Sequence, residues 1–164
     1  MIIFVNGTLN AGKSTVSRLL AQRIPRPAVV EVDSLHAFIE WVDIDEAVPL
    51  NLKNAAAIIR NFATEGFNVI VPCPLSAADH AFLLAQLEGL GLKIYVFTLR
   101  PTLEKTQTST AQRLLSDWKK RRMEHHHAIG LTDPAFGVVI DNTNQTPDQT
   151  AAAILIAVGH GDKS

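Results

Sequence analysis

The stretch MIIFVNGTLNAGKST, residues 1–15, decides how the rest of this chain is read. Ile2 to Val5 form an unbroken apolar run, as expected of a strand buried on both faces of a parallel sheet. From Gly7 to Ser14 the spacing is G-x-x-x-x-G-K-S. Glycines at its ends let the backbone turn sharply and aim successive N–H groups into one concavity. Beyond it, Val16, Leu19, Leu20 and Ile24 recur at helical spacing until Pro25. A strand, a glycine turn and a helix start in that order make an anion site, because the first helical N–H groups are unpaired and the dipole adds positive charge. The expected ligand is a nucleoside triphosphate. Gly7, Asn10, Ala11, Gly12, Lys13, Ser14 and Thr15 would cradle its phosphates, with Lys13 on the β and γ groups and the Ser14 hydroxyl on Mg²⁺. A glycine-rich turn that holds no ligand is the plainer alternative.

The bulk composition narrows the rest. A chain of 164 residues, 47% hydrophobic, is expected to form a single domain over residues 1–164 with a substantial core. Its net charge of −1 gives no overall basic field, so neither nucleic acid nor an anionic membrane is an expected partner. The lone cysteine, Cys73, excludes an internal disulfide framework and suits a reducing cytoplasm. No signal peptide is expected, since Met1 leads straight into a core strand, and the longest apolar run, Ala151 to Val158, is too short to span a bilayer.

Strand and helix signals then alternate. Strands are expected at residues 28–33 (AVVEVD), 68–74 (NVIVPCP), 93–99 (KIYVFTL) and 137–141 (GVVID). Helices are expected at 34–42, from Leu50 to Glu65 after Pro49, from Ser76 to Gly89 or Gly91, and over 147–158 with Thr146 as cap. The mostly polar segment from Thr102 to about Ala128 reads as helical and interrupted. This alternation argues for an α/β fold, a parallel sheet with helices on both faces.

The order of motifs resembles the small P-loop kinases of the shikimate kinase, gluconate kinase and chloramphenicol phosphotransferase group. The resemblance spans nearly the whole chain and rests on NGTLNAGKST (6–15), VEVDSLHAF (30–38), FTLRP (97–101) before a basic segment, and VIDNTNQTPDQTAAAI (139–154). VIVPCPL (69–75) and the closing Asp141-Asn142 also resemble the tunicamycin-resistance type of ATP-binding protein. It implies a P-loop NTPase three-layer sandwich with a five-stranded parallel sheet. It also implies an acceptor-binding region at about 34–65 and a lid at about 101–130.

What such a protein would do follows residue by residue. The resembled kinases carry an acid–x–acid pair after the second strand, which here is Glu31 and Asp33. Glu31 would stand on the metal side. Asp33 would orient or deprotonate an acceptor hydroxyl, a role a carboxylate at hydrogen-bond range can fill; or Asp33 caps the helix that follows. No carboxylate ends the third strand, where Pro72-Cys73-Pro74 stand, so Ser14, Glu31 and Asp33 are the expected metal set. Lid arginines, Arg113 and Arg121 or Arg122, would neutralise the transferred group, unless the charge run is simply a solvated helix face. Asn142 and Thr143 would lie beside the base, and the absence of an N-K-x-D signature favours ATP over GTP.

His125, His126 and His127 point about 100° apart on a helix, so they are read as an exposed lid face instead of a metal site. The acceptor region holds four carboxylates between Glu40 and Glu46, with Arg60 as the nearest guanidinium. That favours a neutral or cationic hydroxyl compound, such as a sugar, polyol or antibiotic, although the acidic stretch also reads as a solvated loop. The resulting expectation is an ATP- and Mg²⁺-dependent phosphotransferase. The rivals are a nucleoside or nucleotide kinase, and a protein that binds ATP and sequesters its target.

Overall fold

Alternate residues of the first strand face opposite ways, and two separate cores follow from that. In the computed structural model, which describes residues 1–107 and 117–159, β1 (Ile2–Asn6) is wholly buried. Ile2 and Phe4 enter one core with Val69 and Val71; Ile3 and Val5 enter the other with Ile70, Phe97 and Leu99. The flanking strands are β2 (Pro27–Val29), β3 (Asn68–Pro72), β4 (Ile94–Leu99) and β5 (Val138–Ile140). All pairings are parallel, in the order β2-β3-β1-β4-β5. The phosphate-loop strand is therefore central, and the loop leaves it at the carboxyl edge, where the crevice of such sheets lies.

Helices cover both faces. On one side α1 (Lys13–Ala21) and α6 (Pro147–Ala157) supply Val16, Leu20, Ala151 and Ile154. On the other, α2 (Ile44–Thr64) and α3 (Ala77–Leu87) supply Leu52, Ala55, Ile59, Leu83 and Leu87. Both expected caps are capping boxes. The Ser76 hydroxyl accepts from Asp79 N–H and the Thr146 hydroxyl from Gln149 N–H, each at 3.2 Å. The interrupted segment contains α4 (Leu103–Gln107) and α5 (Asp117–Ala128). Among the described residues no helix is long and apolar enough to cross a membrane.

The chain departs from expectation between residues 30 and 50. β2 ends at Val29, so Glu31 and Asp33 lie beyond the strand; residues Val32–Ile39 form a 3₁₀ helix in place of an α-helix over 34–42. α2 starts at Ile44, not Leu50, because the Asp43 carboxylate accepts the Asp45 N–H at 2.9 Å and caps it. Pro49 sits inside the helix, lacking only the one N–H that would have met the Asp45 carbonyl. The acidic stretch is therefore a first helical turn, where Asp45 and Glu46 meet the positive end of the dipole.

Candidate active site

The loop from Gly7 to Ser14 owes its shape to three residues at positive φ: Gly7 at 143°, Asn10 at 59° and Gly12 at 98°. A side chain at Gly7 would also put its Cβ 2.7 Å from the Leu99 carbonyl oxygen. Gly7→Ala should therefore cost about 2–4 kcal/mol, from strain and overlap together. Urea unfolding at constant slope would show it, and a midpoint equal to wild type would refute it. Lys13 is buried, and its Nζ donates to the carbonyls of Gly7 at 3.0 Å and Thr8 at 2.9 Å. Burial pulls its ammonium pKa down, while Asp33 and Glu31 push it back up. The cation is thus poised among carbonyls, with two carboxylates in electrostatic range.

Those carboxylates occupy the 3₁₀ entry. Glu31 is its N-cap residue, half-buried, and accepts from the Ser34 hydroxyl at 3.4 Å. Asp33 lies in its first turn, exposed, and among the described residues accepts no hydrogen bond. Asp33 therefore does not serve as the cap. The Ser14 hydroxyl, in the first turn of α1, also has no hydrogen-bond partner among the described residues. A hydroxyl and two carboxylates are hard oxygen donors, the set Mg²⁺ takes.

Asn6, absent from the sequence-based candidates, holds the start of the loop. Its Oδ1 accepts from the N–H groups of Gly7 and Leu75, both at 2.7 Å, and its Nδ2 donates to Thr98 Oγ1 at 3.0 Å. One fully buried amide thereby ties the ends of β1, β3 and β4 together. An Asn closing an otherwise apolar strand was the available signal. Cys73 is buried close by, and burial pushes its thiol pKa up, which keeps it protonated.

Asn142 and Thr143 lie on the loop after β5. Asn142 Nδ2 donates to the Ala11 carbonyl at 3.0 Å, so it braces the phosphate loop directly, and its Oδ1 is buried without a partner among the described residues. Thr143 Oγ1 accepts the Thr102 N–H at 3.1 Å. Asn10 Nδ2 in turn donates to the Thr106 carbonyl at 3.1 Å. Ala11 is buried, Gly12 and Ser14 are half-buried, and Thr15 is exposed.

A cavity of about 480 Å³ opens beside the loop. Asp45 and Val48 from α2, Pro74, Ser76 and Asp79 around the start of α3, and Arg121, Arg122, His125 and His126 from α5 line it with Ile129 and Leu131. Arg122 pairs with Asp45, whereas Asp79 is engaged in its capping box. Arg121 is exposed at the rim. Arg113 lies outside the described residues. Arg60 is no anion clamp for this cavity, since its Nη1 donates to the Gln86 and Glu88 carbonyls at 2.8 and 3.0 Å.

The histidine run corrects the reading of an exposed face. His125 is exposed, but His126 is 5% exposed, and its Nδ1 lies 3.2 Å from Thr8 Oγ1 in the phosphate loop. Burial pushes its pKa down to about 4, helped by Arg122, Lys13 and the neighbouring histidines. The folded protein holds the ring neutral, while the unfolded chain takes up a proton near 6.5. Stability is then fully present above pH 6.5 and lost as pH falls toward 4. After allowance for solvent screening the loss should be about 2 kcal/mol. Urea midpoints between pH 7 and 4.5 would show it, and H126N should flatten that part of the profile.

No protein-family model matches the chain. It is 28% identical over 163 residues to the shikimate kinase of Haemophilus influenzae, covering 93% of this chain and 87% of that one. Among solved structures, the tunicamycin resistance protein of Deinococcus radiodurans superposes with a TM-score of 0.69 at 21% identity, covering 96% of this chain and 95% of that one. The APS kinase of Mycobacterium tuberculosis, in complex with AMPPNP and APS, superposes with a TM-score of 0.67 at 16% identity, covering 96% of each. With its five parallel strands and its glycine loop, the chain has the P-loop kinase fold of these solved structures and is similar in sequence to shikimate kinase.

Proposed function

We propose that the protein is an ATP-dependent small-molecule kinase of the cytoplasm, moving the γ-phosphoryl group to a hydroxyl of a neutral acceptor such as a sugar or polyol. The observation that carries this reading is Asp33: exposed, accepting no hydrogen bond among the described residues, and in electrostatic range of the phosphate-loop lysine. Transfer between a phosphate and a hydroxyl requires a cation for the first and a base for the second.

Loop N–H groups and the start of α1 bind the phosphates, and Lys13 turns from the Gly7 and Thr8 carbonyls to the β and γ oxygens. Asp33 takes the acceptor proton as that oxygen attacks phosphorus; the bond to the bridging oxygen breaks and ADP leaves. Arg121 at the cavity rim, and Arg113 in the same basic segment, neutralise charge on the transferred group. Ser14 with Glu31 or Asp33 would hold Mg²⁺, which would supply charge neutralisation for the phosphates. The Asp45–Arg122 pair, which joins α2 to α5, supports an acceptor region at about 34–65 working with a lid at about 101–130.

The cavity lining bears on the acceptor class. Its two aspartates balance its two arginines, and Val48, Pro74, Ile129 and Leu131 give it apolar wall. A balanced lining favours a neutral polyhydroxyl compound over a carboxylate or phosphate ester. ATP turnover across sugars, polyols, nucleosides, shikimate and hydroxylated antibiotics tests this. Turnover with a neutral class alone supports the proposal; turnover only with shikimate or nucleotides overturns the acceptor. Stabilisation by ATP without any phosphorylated acceptor overturns the kinase and favours a sequestering protein.

A further inference from the structure

The phosphate loop has a second fastening that the chemistry above does not use. Thr8 is fully buried, and its carbonyl already receives the Lys13 ammonium at 2.9 Å and the Ala11 N–H at 3.3 Å. Its hydroxyl meets His126, 118 residues further along the chain. His126 sits one helical turn after Arg122 on α5. Just past that helix, the Leu131 N–H donates to the His126 carbonyl at 3.0 Å, and the Leu131 carbonyl receives Asn6 Nδ2 at 3.5 Å. Two buried polar contacts thus join the end of α5 to the first residues of the loop.

The surroundings explain why a histidine stands there. The ring faces Lys13 from α1, with Arg122, His125 and His127 on its own helix, and shares the cavity wall with Asp45 and Asp79. A second lysine or arginine would add charge beside Lys13. An apolar residue would fill the space but leave the Thr8 hydroxyl buried and unpaired. A neutral imidazole fills the space and pairs the hydroxyl, whichever tautomer donates.

We propose that His126 is a positioning residue: through Thr8 it fastens the arginine-bearing helix α5 to the phosphate loop, so that loop and helix receive the triphosphate as one preformed unit. The inference rests on the kinase reading of the same site. A loop loosened on one wall would have to be ordered during binding, and that ordering lowers affinity.

Three variants and two measurements test it. H126A and T8V should speed hydrogen exchange at the Gly7 to Lys13 amides about tenfold without nucleotide, and weaken AMPPNP binding about tenfold in calorimetry. H126N places an amide close to the position of Nδ1 and should stay within about threefold of wild type in both. The double variant should be no weaker than either single one, because both remove the same bond. Exchange and affinity unchanged in T8V would overturn the proposal, and T8V keeps the shape of the residue should H126A fail to fold. If wild type binds no AMPPNP, the kinase reading falls, while unchanged exchange still overturns the fastening by itself.

Discussion

Lys13→Met should lower phosphoryl transfer about 10³-fold in kcat/KM while leaving the protein folded. The two effects separate because the lysine has no salt-bridge partner among the described residues: Nζ rests on two carbonyls, and burial already disfavours its charge. Removing a buried charge that no ion pair holds costs little stability. The melting temperature without nucleotide should therefore stay within a few degrees of wild type, and the rise on adding ATP should disappear. Calorimetric melting with and without ATP checks both halves. A variant that still gained stability from ATP would show that the phosphates bind elsewhere.

Asp33→Asn should lower kcat by about 10²–10⁴-fold and leave ATP affinity nearly unchanged. Asparagine keeps the size and one acceptor oxygen but cannot take a proton at neutral pH. Asp33 is exposed and makes no hydrogen bond among the described residues, so no structural loss should accompany the change. The same substitution removes a negative charge within electrostatic range of Lys13 and hence of the bound phosphates, so nucleotide affinity should drift slightly upward, if it moves at all. Steady-state kinetics against ATP and acceptor separately distinguish the outcomes. An unchanged kcat would remove Asp33 as general base and leave Glu31, the other carboxylate that acts on Lys13, to examine.

What the sequence disclosed was local. The β1–loop–α1 unit was legible because strand, glycines and helix follow one another within about twenty residues, each with its own chemical signature. The capping boxes at Ser76 and Thr146 were legible for the same reason, being built from residues three apart. Pro49 misled, because a proline reads as a helix start although Asp43 had already capped the helix six residues before it. His126 was misjudged because its environment is made by Thr8, 118 residues away, and no pattern within α5 reveals that contact. Asn6 likewise draws its meaning from Leu75 and Thr98. Polar residues buried by distant partners look, in sequence, like surface.

The central place of β1 has a consequence for how the protein is made. Its neighbours are β3 and β4, so Ile2 waits for Val69 on one side and Ile94 on the other. During synthesis β1 precedes both of its partners and must wait for each. Translation runs at about 5–20 residues per second, so an apolar segment stands unpaired for several seconds before its second partner leaves the ribosome. The phosphate loop, though it precedes Leu99 by more than eighty residues, takes its shape only after Leu99 has been added, because the carbonyl of Leu99 walls Gly7. Nascent chains stalled before that point should hold the complete glycine motif and bind no nucleotide.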